Sequence, residues 1–487
     1  MKTLLKYLAV GLGLMLWFDT AQAMPSYARQ TGLDCNSCHI GFDAVPYFTR
    51  TGRLFIMKGF HQPNSVRGKL RQTGFDANGN DTPEYGGNYL ALNWNDFWSV
   101  RFISSLLAGG STPAGKSNTT SNATSRIAMY FTGPITDWLG LWTEIGYLGN
   151  NSFTAQSGPG TGQATNLNTF ADDEYRLTAS KDVGDRSFIA AAVGNEYPDA
   201  ISEFVFPTYL ITPWSYGQGG VGKEYATTAY SFYGFFDNHY YIQFSPITGD
   251  YDSSWSNGHN NYVTLAYNGI PGTGDNFNRE SMDMWWELTG NWGNNVGSMV
   301  SAMKTSFICT AAGCPPGVSD ANNALSFTST QGSHIGPLTD ISIVDPLTAT
   351  ENPTNSYSWR FAFHNSVADM GNHSWFAGAD IAAEHQSFPD GAKASYMGIG
   401  GGIRYFYNRT YGFEVGVQHA TKWDYTASTG VTYSANAPTT YSLALLWVPA
   451  MNINVALNYS PTKPVYILAA NSPGTGESWS LLVDYGF

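Results

Sequence analysis

The chain has 487 residues, with 43% hydrophobic, 15% aromatic and only 13% charged residues. The charged share is about half the globular norm of ~25%, and high apolar content argues against disorder. A formal net charge of −13 does not suit a nucleic-acid binder, whose footprint is basic, so no nucleic-acid partner is expected.

In chain order, Lys2 and Lys6 precede an apolar stretch from Leu8 to Phe18, and Ala21-Gln22-Ala23 is a small-x-small cleavage site. This reads as a secretory signal over 1–23, with Met24 as the first mature residue. Past it, no run approaches the ~20 apolar residues that a membrane helix needs.

Residues 24–62 form a distinct head with no alternating pattern. Within it, Cys35-Asn36-Ser37-Cys38-His39 is C-x-x-C-H, the attachment signature of c-type haem. Two thiols and a proximal imidazole must reach one macrocycle from a single turn, which fixes that spacing. Cys35, Cys38 and His39 are therefore the expected haem residues, with His39 as an iron ligand. A redox dithiol or half a zinc site would use the same cysteines, but no second C-x-x-C completes a zinc site. Met57 is the first candidate for the sixth ligand, which would raise the potential. His61 and Met24 are the alternatives.

Residues 63–87, rich in Gly, Asn, Asp and Pro, read as a linker. From 88 to 487 one design recurs: about ten alternating residues, a tight turn, ten more, then a longer polar loop. Trp479, Leu481, Val483, Tyr485 and Phe487 share one face; Met282, Met284, Trp286, Leu288 and Trp292 share another against Asp283, Glu287 and Asn291. Tyr411, Phe413, Val415 and Val417 oppose Glu414 and Gly416 in the same way. Period two with one polar face is a half-buried strand. Aromatic apolar faces, alternating short and long connections and a closing aromatic residue are features of a transmembrane barrel.

The predicted short turns lie at Gly133–Trp138, Val183–Arg186, Asp237–His239, Gly293–Asn295, Ala368–His373, Asn408–Thr410 and Pro449–Asn452. The long loops are expected near 109–124, 149–171, 196–223, 248–279, 305–355, 386–394, 421–439 and 461–477. This gives about sixteen strands, with 262–268 readable as strand or loop. The fold class is thus all-β: an outer-membrane barrel of ~16 strands carrying a small helical cytochrome head. Expected inward positions are Arg101, Arg126, Glu144, Glu174, Arg176, Asp283, Glu287, Arg360, His364, Asp380, Glu384, Arg404 and Glu414. Either they stabilise a wet lumen with mixed charges, or some of the arginines pair with haem propionates or with the head. Cys309 and Cys314, in the longest loop, read as a small disulfide.

The head resembles the fused monohaem cytochrome–porins of iron-oxidising bacteria, which are outer-membrane c-type cytochromes. The residues that carry this are Pro25, Ala28-Arg29-Gln30-Thr31-Gly32, Cys35 to His39, Pro46, Gly52-Arg53, Phe55 and Gly59. The chain departs from the pattern at Val45, Arg50, Thr51, Ile56 and Met57. The resemblance implies one covalently bound haem c and an iron oxidoreductase working by one-electron transfer. Extracellular Fe(II) would be the donor, a periplasmic cytochrome c or copper protein the acceptor, and outer-membrane lipid the surroundings. The same conduit reducing an extracellular acceptor, and a passive porin with a haem-bearing head, are the alternatives. Acidic Asp172, Asp173 and Glu174 are loop candidates for the Fe(II) site.

Overall fold

A computed structural model gives the fold. It describes residues 26–27, 33, 37–40, 48–61, 74–75, 81–82 and 97, then the strands named below. It also describes the bends at 135–136, 138, 183–187, 237–239, 269–271, 354, 371–372, 388–389, 391–392, 408–410 and 430.

Among the described residues of the head, one helix can be followed from end to end, α1 (Arg50–Met57). Two residues of β1 (Gly74–Phe75) pair with β2 (Asp81–Thr82) inside the expected linker. The barrel then runs through β3 (Trp98–Ala108), β4 (Asn122–Pro134), β5 (Leu139–Leu148), β6 (Phe170–Asp182), β7 (Phe188–Gly194) and β8 (Thr228–Phe236). It continues through β9 (Tyr240–Thr248), β10 (His259–Asn268), β11 (Met282–Gly293), β12 (Asn355–Met370), β13 (His373–Ser387) and β14 (Lys393–Tyr407). Last come β15 (Tyr411–Thr426), the short β16 (Thr432–Ser434), β17 (Thr439–Ala450), β18 (Ile453–Ser460) and β19 (Ser478–Gly486).

Each strand pairs antiparallel with its chain neighbours, and β19 closes on β3 from Trp479↔Ala108 to Gly486↔Arg101. The three residues of β16 pair with the end of β15, which also pairs with β17. Sixteen long strands therefore make the wall, as the sequence predicts. Closure leaves no sheet edge to satisfy, which is what lets strands cross a bilayer.

The surface is inverted relative to a soluble barrel. On β11, Asp283, Trp285, Glu287, Thr289 and Asn291 are buried, while Leu288 and Trp292 are exposed. Outward aromatics collect at two levels. Phe236, Tyr240, Tyr407, Tyr411 and Trp447 lie at the short-turn end; Trp292, Tyr357, Trp359 and Tyr441 lie towards the loops. Between them sit Ile242, Leu265, Leu288, Ile399, Val415, Leu443 and Leu445. Two aromatic girdles around an aliphatic band are the construction of an outer-membrane β-barrel, with short turns on the periplasmic side. Among the described residues no helix is long and apolar enough to cross a membrane.

Two strand assignments differ from the sequence reading. Gly293 does not begin a tight turn into a new strand: it is paired with Asn260 on β10 and Ser356 on β12. The strand expected after it falls outside the described residues, and β10 lies within the predicted 248–279 loop, where 262–268 is readable as strand. The total of sixteen survives, but β11 runs from the turn side to the loop side, opposite to the prediction. Asp172, Asp173 and Glu174 belong to β6 rather than a loop, where the register shifts between Glu144↔Glu174 and Ile145↔Asp172. The expected long loop at 386–394 is a tight connection, with Phe388 N–H donating to Ala392 O at 3.0 Å.

Candidate functional site

The haem-signature turn is pinned to α1. Thr49 is the helix N-cap, and its hydroxyl accepts from Gly52 N–H at 3.2 Å while donating to Ser37 O at 2.6 Å. Thr49 N–H donates to Cys38 O at 2.9 Å. His39 pairs with Phe48 in an antiparallel bridge, their rings 4.8 Å apart. A Cβ on Gly52 would collide with the Cys38 carbonyl, so only glycine lets the helix approach this turn. Cys38 is half-buried, like the adjacent His39. A partly accessible thiol and a partly accessible imidazole, consecutive on a fixed turn, fit the second thioether and the axial ligand of a haem c. Cys35, Met24, Cys309 and Cys314 lie outside the described residues.

The helix ends as deliberately as it begins. Gly59 takes φ +66°, Gly59 N–H donates to Ile56 O and Phe60 N–H to Phe55 O. This is a Schellman ending, closed by the Phe55–Phe60 ring contact at 5.8 Å. Residues 52–57 are all buried, more than an eight-residue helix could manage alone. The barrel supplies the cover. Phe48, Phe55, Ile56 and Phe60 pack with Ala128, Tyr130 and Trp142 of β4 and β5. Ile40, Leu54 and Met57 cluster with Tyr233, Phe235, Trp285 and Phe376 of the facing wall.

The head therefore sits inside the barrel, at the short-turn mouth. Ser26 reaches Ser99 and Thr132 at 3.5 and 3.4 Å. Tyr233 O–H donates to Met57 O at 2.7 Å, and Ser180 O–H to Lys58 O at 2.7 Å. Lys58 Nζ pairs with Asp182. His61 spans two carbonyls with its ring nitrogens, Lys58 O at 2.8 Å and Thr136 O at 2.6 Å. His61 thus anchors the head to the β4–β5 turn, and in this position neither nitrogen faces a metal. Met57 is fully buried in the apolar cluster.

A charged network crosses the head–wall boundary. Arg53, fully buried on α1, places Nε 3.2 Å from Asp283 Oδ2 and NH1 3.3 Å from His364 Nδ1. Its guanidinium lies over the Trp285 ring at 5.6 Å. Asp283 is held by Asn268 Nδ2–H at 2.6 Å and Trp285 Nε1–H at 2.7 Å, and Arg50 Nε–H donates to Asn268 at 3.3 Å. Behind His364 stand Glu287 at 3.6 Å, then Arg360 at 3.7 Å, then Asp380, 2.8 Å from Arg360. Burial pulls the Arg53 guanidinium below its ordinary range, and Asp283 and Glu287 push it back up; an arginine keeps its charge regardless.

Of the predicted inward residues, Glu144, Arg176, Asp283, Glu287, Arg360, His364, Asp380, Glu384 and Glu414 are buried. Arg404 pairs with Glu414 at 2.7 Å, and Arg101 is half-buried. The side chains of Arg126 and Glu174 lie outside the described residues. The expected pairing of barrel arginines with the head runs the other way at Asp283: the arginine belongs to the head and the carboxylate to the wall. Sequence reading gave Arg53, Lys58 and Thr49 no structural role. The available signal was a lone charge at Arg53 directly before the apolar Leu54-Phe55-Ile56-Met57 run.

No family model and no curated protein matches the chain. Solved outer-membrane structures do. OmpF of Salmonella typhi, in complex with daunomycin, aligns over 81% of this chain and 99% of its own at 10% identity, TM-score 0.43. OprB of Pseudomonas putida aligns over 80% and 93% at 10% identity, TM-score 0.43. A porin of Rhodopseudomonas blastica aligns over 80% and 99% at 8% identity, TM-score 0.40.

Proposed function

We propose that the chain is an outer-membrane c-type cytochrome that oxidises extracellular Fe(II) and passes single electrons to a periplasmic carrier. The observation that carries this reading is the Ser37-Cys38-His39 end of the C-x-x-C-H motif, fixed on a helix that is wedged into the periplasmic mouth of the barrel. The resemblance of the head to cytochrome–porin fusions supports it. A haem held by Cys35, Cys38 and His39, with Met57 as the sixth-ligand candidate, would supply one-electron exchange between Fe(II) and a periplasmic cytochrome c or copper protein.

The chain's own residues do the rest. Thr49 and Gly52 hold the signature turn against α1. Lys58, His61 and Tyr233 fasten the helix to the rim, and the two apolar clusters exclude water around it. A helix packed into the mouth suits a conduit in which the head, rather than an open lumen, carries the traffic. The strand wall insulates, so the head is the place where charge can leave towards the periplasm.

The test is a redox titration of the detergent-purified full-length protein, followed by its haem absorbance, with Fe(II) then added to the oxidised form. A covalent haem with a positive midpoint and rapid reduction by Fe(II) is expected. A strongly negative midpoint with no reduction by Fe(II) would overturn iron oxidation in favour of outward electron flow.

A further inference from the structure

We propose that Arg53 is the positioning residue of the head. Its socket of Asp283, Trp285 and His364 fixes how the cytochrome segment seats in the barrel and sets the charge beside the C-x-x-C-H turn. The electrostatic half of this rests on the haem reading above; the positioning half does not.

Three observations carry it. First, Arg53 follows Gly52, whose backbone lies against the Cys38 carbonyl, so the guanidinium belongs to the residue next to the signature contact. Second, the socket is shaped for this one group. Nε lies 3.2 Å from Asp283 Oδ2 as an ion pair without a hydrogen bond, Nη1 lies 3.3 Å from His364 Nδ1, and the guanidinium carbon lies 5.6 Å from the Trp285 ring centroid. A planar fork on an aromatic face is a geometry that lysine cannot reproduce. Third, the socket is pre-built. Asn268 and Trp285 hold Asp283 from the wall itself, and Glu287, Arg360 and Asp380 continue alternating charge along β11–β13.

A buried ion pair adds little net stability, because desolvation of both charges opposes their attraction. Its better-attested use is to specify one arrangement over others. Apolar packing of Leu54, Phe55, Ile56 and Met57 would tolerate sliding or rotation in the mouth. A guanidinium that loses its carboxylate on moving would not.

The pair also stands on the helix to which the signature turn is fixed, one residue from the Gly52–Cys38 contact. In a low-dielectric interior a nearby charge acts strongly on the one-electron equilibrium. A negative neighbour favours the oxidised, more positive haem, and a positive neighbour favours the reduced one. Removing Asp283's charge should therefore raise the midpoint, and removing Arg53's should lower it.

The experiment compares Arg53→Gln, Asp283→Asn, the double variant and Arg53→Lys in the full-length protein. Heat-modifiable gel mobility checks that each barrel has formed. Midpoint potential and planar-bilayer conductance are then measured. The expected result is opposite midpoint shifts in the two single variants, cancelling in the double, with raised conductance in both singles. Arg53→Lys keeps the charge but not the fork, so it should raise conductance while holding the midpoint near wild type. Glu414→Gln, in the separate Arg404–Glu414 pair, should change neither.

Midpoint shifts of the same sign in both single variants, or wild-type midpoint and conductance in both, would overturn the proposal. Absence of covalent haem in the wild type would defeat the haem reading alone. Conductance would then decide the positioning role, with wild-type conductance in Arg53→Gln and Asp283→Asn overturning it.

Discussion

Gly59 and Gly140 meet backbone to backbone where the head touches β5. A Cβ on Gly140 would collide with the Gly59 carbonyl, and one on Gly59 would meet Thr178 at 3.0 Å. The neighbour is main chain in the first case, so it cannot rotate away. Overpacking of this kind costs ~1–3 kcal/mol. Gly140→Ala should therefore push the end of α1 off the wall and expose the chain after Lys58. The expected outcome is faster tryptic cleavage after Lys58, on the order of ten-fold for each 1.4 kcal/mol of docking lost, where cleavage follows the open population. Gly290→Ala is the control, because its Cβ would meet only Ser358 O, at 4.0 Å. Equal cleavage rates in the two variants would mean that this contact does not hold the head.

At the scale of the element, α1 is short for an independent helix and depends on its ends. The Thr49 hydroxyl serves two partners, Gly52 N–H inside the helix and Ser37 O in the signature turn. Thr49→Ala should cost about 1 kcal/mol from the lost cap and also release the turn. Thr49→Ser keeps the hydroxyl and should behave as wild type. Thermal loss of the haem absorbance band reads both, and an unshifted midpoint temperature in Thr49→Ala would refute the linkage. The caps belong to residues adjacent in sequence, yet the sequence reading found only the C-x-x-C-H spacing. The strands were legible where one face meets lipid and the other meets polar wall, as on β11 and β15. Alternation leaves 262–268 of β10 readable as strand or loop for a physical reason. Its buried positions include Tyr262 and Ala266, and Ala266 joins the cluster beneath the head. Both faces are then apolar in part, and the period-two signal fades. Gly293-Asn294-Asn295 offers turn-forming residues, but in the barrel Gly293 is a paired strand residue. The Arg53 socket was illegible because Asp283 and His364 lie hundreds of residues away, and only barrel closure sets their register. Lys58–Asp182, on β6, is the same case.

At the scale of the whole molecule, two designs share this barrel: an insulated conduit and an open pore. Named head residues contact wall residues from Ser99 on β3 round to His364 on β12. The two designs differ in whether ions still pass the lumen beside that packing. Liposomes separate the two. The full-length protein is reconstituted into vesicles that hold either oxidised cytochrome c or a coloured Fe(II) chelator, and Fe(II) is added outside. Under the proposed function the trapped cytochrome c is reduced while the trapped chelator stays colourless, because the electron crosses and the cation does not. Vesicles with the Gly140→Ala protein, whose head is displaced, should colour the chelator. If the wild-type chelator colours as fast as the cytochrome is reduced, Fe(II) itself traverses the lumen. The barrel would then be a cation pore, and the haem-bearing segment would have to serve something other than transmembrane electron transfer.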